Sequence, residues 1–167
     1  MLIKTNKVEF ETLAERKKRK ATANRGKSSE DAVQKVLVEV RNKEITFDFD
    51  RLFDSRSAGR IIPTQVSDYL LFFRARSATL EVKGLKKGFR LGKSAFPQRS
   101  RMLRREAAGC LGFVLVHTME NDMWMLATIA KFAVLQPSWE LTTENCDQFK
   151  TARDAVGRIL TCLMNTL

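Results

Sequence analysis

Ser77-Ala78-Thr79-Leu80-Glu81-Val82-Lys83 is the stretch on which the reading of this chain turns. Side chains alternate along a strand, so Leu80 and Val82 take one face while Glu81 and Lys83 share the other. A charged pair on one face of a core strand is costly unless a solvent cleft or a cation receives it. Just upstream, Val66 to Phe73 is a β-rich run interrupted by a single acid, Asp68. Arg74 to Ser77 is a short polar connection, so the two runs, with Ala78 to Lys83 as the second strand, are predicted to form an antiparallel hairpin in which Asp68 can face Glu81. Two carboxylates so close repel each other unless a divalent cation sits between them. Asp68, Glu81 and the backbone carbonyl of Val82 are therefore candidate ligands for Mg2+, with Mn2+ as a substitute. Lys83 is a candidate to orient an attacking water or to stabilise negative charge developing on phosphorus. The competing reading is a surface ion pair, because Glu-x-Lys also suits an exposed strand.

Outward from this hairpin the chain reads as alternating elements. Ser28-Ser29-Glu30-Asp31 has the pattern of a helix start, and Val33, Val36, Leu37 and Val40 recur at helical spacing, which predicts a helix over 28–42. Ile45 to Phe53 alternates and predicts a strand; Asp54 to Arg60 has loop composition. After Pro97 a helix is predicted over 98–108, then strands over 111–118 and 123–129, then a C-terminal helix over 145–163 with Val156, Ile159 and Leu163 on its apolar face. The order α-β-β-β-α-β-β-α describes an α/β protein with one domain over 28–167, preceded by a flexible basic arm over 1–27.

The 167 residues are 44% hydrophobic and 29% charged, which suits one packed domain and argues against disorder. No apolar run is long enough to span a membrane, and residues 1–20 lack the apolar core of a signal peptide. Cys110, Cys146 and Cys162 form no C-x-x-C pair and read as small core residues of a reducing cytoplasm. The net charge of +11 is unevenly placed: residues 1–27 carry +6 and residues 86–105 carry +8, which leaves the rest slightly acidic. Such confinement is how a nucleic-acid footprint looks. Lys86, Lys87, Arg90 and Lys93 directly follow the Glu81–Lys83 strand, while Arg99, Arg101, Arg104 and Arg105 run along a helix start. A solvated basic helix is the alternative for the second group.

Several short motifs, in this order, resemble the RecU family of Holliday junction resolvases within the PD-(D/E)xK nucleases. They are Asn24-Arg25-Gly26-Lys27 before a helix bearing Glu30, Phe53-Asp54-Ser55-Arg56-Ser57-Ala58, Ser67-Asp68-Tyr69, Glu81-Val82-Lys83-Gly84 and Ser94-Ala95-Phe96-Pro97-Gln98. Ser67 stands where the signature has proline. The resemblance spans residues 24–105. It implies a nuclease-like mixed β-sheet core flanked by helices, and a Mg2+-dependent homodimeric endonuclease that places paired nicks in four-way DNA junctions. It further implies that Asp54, Asp68 and Glu81 hold metal, that Lys83 is the catalytic lysine, and that Glu30 and Gln98 lie beside the site. Arg25, Lys27, Arg56 and Arg60 would join the DNA-binding residues. The small size and basic arm suit a phage or prophage protein, at work in the bacterial or infected-host cytoplasm. Each residue has a simpler reading: Glu30 is favoured by a helix N-terminus, Asp54 suits an Asx turn, and Gln98 suits a first helical turn. The segment 54–67 is shorter than the family's junction-entering stalk, which weakens the inference to junctions relative to flaps or duplex ends. A non-catalytic basic nucleic-acid-binding protein also stays open. His117, alone in an apolar strand, reads as a core histidine, and Gly84, Gly88 and Gly92 fit no nucleotide-binding loop.

Overall fold

The structure is a computed structural model that describes residues 13–52 and 65–165, with the side chains of the first helix described from Lys27 onward. Asp54, Arg56 and Arg60 lie outside the described residues, and so does the side chain of Arg25. The elements are α1 (Leu13–Lys43), β1 (Phe47–Arg51), β2 (Tyr69–Phe73), β3 (Arg76–Leu85), β4 (Arg90–Gly92), α2 (Arg99–Ala107), β5 (Leu111–Thr118), β6 (Met123–Thr128), β7 (Ser138–Glu140), β8 (Asp147–Phe149) and α3 (Ala152–Asn165). Six strands form one sheet in the order β1-β2-β3-β5-β6-β8, and β4 and β7 form a small second sheet. Among the described residues only the β3–β5 pairing is parallel, with α2 in the connection between those two strands; the other ladders are antiparallel. The described residues thus form an α/β protein with a central mixed sheet and three α-helices. No described helix is long and apolar enough to cross a membrane.

Both sheet faces carry apolar clusters, and the pleat divides them. On one face Phe47, Phe49, Tyr69, Leu71, Leu80, Val82, Leu115 and Trp124 pack with Val33 and Leu37 of α1 and with Val156, Ile159 and Leu163 of α3. On the other, Val114, Val116, Met125 and Ala127 pack beneath Leu91, Phe96, Met102, Phe132 and Trp139. Gly112 permits that second layer to approach, since a Cβ there would lie 2.2 Å from Ile129 Cγ2. The second layer leaves part of its sheet face bare: Asp48, Asp50 and Phe72 are exposed.

Four expectations need correction. The first helix begins at Leu13 and not at Ser28, because residues 13–25 contain no proline or glycine and are rich in helix-forming Ala, Lys, Arg and Glu. Ser29 is buried, and its hydroxyl meets His117 Nδ1 at 3.0 Å. The C-terminal helix begins at Ala152, after β8 has paired with β6. Its start is capped by Thr151, whose Oγ1 accepts from the Asp154 N–H at 3.1 Å and donates to Asp154 Oδ2 at 2.7 Å. The strands β4 and β7 were not expected, since three residues are too few for alternation to register. The strand expected over 66–73 begins only at Tyr69, which leaves Asp68 just outside its ladder.

Candidate active site

The β2–β3 ladder ends at the pair Tyr69–Leu80, while β3 runs on for five residues to Leu85, bordered there by β5 on one side. The departure of β2 opens a notch beside Glu81, Val82 and Lys83. Asp68 stands at the corner of this notch, one residue before β2. Its backbone carbonyl accepts from the Leu52 N–H at 2.8 Å, which extends the β1–β2 ladder by one bond. Its side-chain Oδ2 accepts from the Val82 N–H at 2.7 Å, filling a backbone donor that the shortened β2 leaves open. The N–H and C=O of a strand residue point to the same edge, so the Val82 carbonyl is also turned to the notch. Ser67 is buried and donates its hydroxyl to the Tyr69 carbonyl at 2.8 Å, a bond that proline could not make.

Glu81 is fully buried. Its Oε1 lies 2.5 Å from Lys83 Nζ, and its Oε2 has no hydrogen-bond partner among the described residues. Burial raises the Glu81 carboxyl to about 8; the charge of Asp68 adds to the rise and Lys83 opposes it. Burial also raises Asp68 to about 6, opposed by Lys83, the Val82 amide and Arg51 and reinforced by Glu30. At Lys83 burial works against the charge, but Glu81 and Asp68 outweigh it and the amine stays raised above its ordinary value. The notch therefore holds two acids crowded enough to resist losing both protons, with the Lys83 charge acting on both.

Among the described residues, no group of three or more His, Cys, Asp and Glu side chains is placed to hold a metal ion. The donors the notch does present are two carboxylates and a backbone carbonyl. All are oxygen, the set a hard divalent cation takes, and the unpartnered Glu81 Oε2 is the atom such an ion would satisfy.

No family model and no curated protein matches the sequence. Among solved structures the chain is similar to Hjc, a Holliday junction resolvase from the archaeal hyperthermophile Archaeoglobus fulgidus. The TM-score is 0.46 and the identity 15%, over 65% of this chain and 84% of that one. At that level the likeness carries no weight for function, and the chemistry rests on the residues of this chain.

The other expected site residues fall into four groups. Glu30 belongs with the notch: its charge acts on Asp68, Glu81 and Lys83, and its backbone carbonyl accepts from Tyr69 OH at 2.9 Å. Gln98 caps the start of α2, on the sheet face toward which Glu81 and Lys83 project; its Oε1 is buried without a partner among the described residues. Lys86, Lys87, Arg90, Lys93, Arg101, Arg104 and Arg105 are exposed, as is Lys27 on α1. Arg99 is engaged otherwise. Its guanidinium donates to the carbonyls of Phe132 and Ala133 and lies over the Trp139 ring, 5.8 Å from the centroid.

Sequence reasoning passed over Arg51. Its Nη2 donates to Glu30 Oε2 at 3.0 Å, its Nη1 donates to Gln34 Oε1 and lies 3.7 Å from Asp31 Oδ1, and its charge reaches Asp68. The signal was present, since Arg51 ends the Phe47, Phe49 row on the apolar face of β1 and a cation there needs acids to receive it. His117 is satisfied as expected. Besides Ser29, it meets Asp122 Oδ1 at 2.8 Å and stacks on Trp124 with ring centroids 4.1 Å apart.

Proposed function

We propose that this protein is a divalent-metal-dependent DNA endonuclease that acts on branched DNA, four-way junctions above all, as a homodimer placing one nick per active site. The observation that carries the reading is the notch itself: Asp68 bonded to the Val82 amide beside a fully buried Glu81 with one oxygen unpartnered. A buried acid on a core strand with a second acid at its edge is expensive to keep, and a cation that binds both offsets the cost.

In this reading Asp68, Glu81 and the Val82 carbonyl would hold the ion, with Asp54 as a third acid on the strength of its sequence motif. When bound, Mg2+ or Mn2+ supplies Lewis-acid polarisation of the phosphodiester and a water of lowered pKa. The Val82 amide fixes Asp68 so that one carboxylate oxygen remains for the ion. Lys83, with 21% of its side chain exposed, carries its charge to the mouth of the notch, where a non-bridging phosphate oxygen can meet it. Arg51 holds the Glu30 carboxylate and keeps α1 registered against the end of β1. Lys86 and Lys87 follow directly on β3 and grip the adjoining phosphates. Asp48 and Asp50 repel the backbone from the β1 side, so the duplex lies toward α2 and β4.

The test is cleavage of an end-labelled synthetic four-way junction in Mg2+, beside a linear duplex of the same sequence, with native protein and with Asp68→Ala. Paired nicks in the junction arms, lost in the variant while binding persists, are expected. Binding without cutting in either Mg2+ or Mn2+ would overturn the proposal and leave a basic binding protein.

A further inference from the structure

We infer that Val134 and Leu135 form an apolar wedge that enters the DNA branch point and stacks on the base pair exposed there; the inference rests on the nuclease reading above. A 3₁₀ turn, Ile129–Phe132, follows β6 and leads into Ala133-Val134-Leu135-Gln136-Pro137, which returns as β7. This short loop is held along its length. Arg99 donates to the carbonyls of Phe132 and Ala133, Trp139 Nε1 donates to the Val134 carbonyl at 3.1 Å, and the Lys93 N–H donates to the Pro137 carbonyl at 3.0 Å. Phe132 and Trp139 beneath it are buried.

On this braced backbone Val134 is 74% exposed and Leu135 56%. Holding two adjacent apolar side chains out in water has no use within the fold, and their rim indicates the occupant. Arg90 donates to Ser138 Oγ at 2.8 Å, Lys93 is tied to Pro137 through its backbone, and Lys131 lies in the turn itself. The nearest acid along the chain is Glu140, at the far end of β7. A cationic rim around an apolar tip matches a polyanion that also offers an apolar surface, which is what a DNA helix does where its base stack is interrupted. The tip stands on the catalytic side of the sheet. Phe132 and Trp139 share one cluster with Val114 and Val116, the register partners of Glu81 and Lys83.

The test uses the full-length protein in EDTA, with 2-aminopurine placed at the branch of a four-way junction or at the centre of a linear duplex. Native protein is expected to change the fluorescence at the branch and leave the duplex signal alone. The exposed double variant Val134→Ser/Leu135→Ser should lose that change. Its junction-to-duplex affinity ratio should fall about tenfold or more, the scale of a lost base-stacking contact, while Val134→Leu/Leu135→Met retains both. The wedge is overturned if the serine variant keeps signal and ratio, or if it alters the sedimenting mass of the free protein, which would make the tip a self-contact. Native protein that cuts junctions in Mg2+ without a fluorescence change overturns the wedge alone. Native protein that binds no DNA overturns the nuclease reading with it.

Discussion

Asp68 and Val82 are joined by a 2.7 Å hydrogen bond from backbone amide to carboxylate, one residue beyond the last rung of the β2–β3 ladder. The bond fixes an acid at the point where the edge of β3 becomes open, opposite Glu81. The chemistry proposed for this chain follows from that placement, and it can be tested piece by piece.

Glu81 makes metal-free stability depend on pH. Its folded value of about 8 lies above the ordinary 4.5, so between those values the folded protein holds a proton that the unfolded chain has lost. Stability in EDTA should therefore fall as pH rises from 5 to 8. Glu81→Gln should flatten this slope and be more stable at pH 8 by roughly a few kcal/mol. Mg2+ should raise the melting temperature of the native protein at pH 8 and leave that of the variant unmoved. Thermal unfolding at the two pH values, with and without Mg2+, checks both statements.

Arg51 lowers the Asp68 carboxyl from a distance while it holds Glu30. Arg51→Gln should raise Asp68 further above its present value of about 6. Cation uptake needs the ionised acid, so its acid limb should move to higher pH, by up to about one unit. A pH series of Mn2+ titrations on native and variant protein measures the shift. An unmoved limb would mean that Arg51 serves only to pack α1.

The basic residues should separate into contacts and braces. Lys86→Ala/Lys87→Ala should lower DNA affinity and reduce the slope of log K against log salt by about 2. Arg99→Met should instead lower the melting temperature, because it leaves the carbonyls of Phe132 and Ala133 without their donor. Its salt slope should stay as in the native protein. Salt titrations of duplex binding with the two variants distinguish these roles.

Two backbone positions outside the site set its support. Arg74 and Ala75, at φ 49° and 63°, make the two-residue β2–β3 turn without glycine. Ala75→Gly should stabilise by about 1 kcal/mol. Gly112→Ala should destabilise by about 1–3 kcal/mol, since the new methyl would meet Ile129 on the facing layer. Urea unfolding of both variants reads the two signs.

The legible parts of this molecule are those where pattern and burial coincide. Leu111–Thr118 was predicted to the residue because a long apolar strand leaves little choice of bounds, and Asp68, Glu81 and Lys83 stood out as charges inside apolar runs. Asp147–Phe149 reads as part of a helix because its edge pairing with Trp124 to Leu126 is not written locally; the Thr151-x-x-Asp154 cap, two residues past Phe149, is the available correction. Ser28-Ser29 reads as a helix start because hydroxyls often cap, whereas both lie inside α1 and the Ser29 hydroxyl meets His117, 88 residues away. Arg51 was missed for the same reason, since its role depends on acids of α1 that only the folded chain brings to the end of β1.

The most direct measurement is a Mn2+ titration of the DNA-free protein, followed by calorimetry or by the loss of free-ion resonance signal, with native protein, Asp68→Asn and Glu81→Gln. Saturable binding to the native protein, abolished or weakened at least about tenfold in each variant, is the expected result for ligands of this kind. No binding to the native protein, or equal binding to all three, would contradict the notch as a cation site and return Glu81 and Lys83 to the status of a buried ion pair.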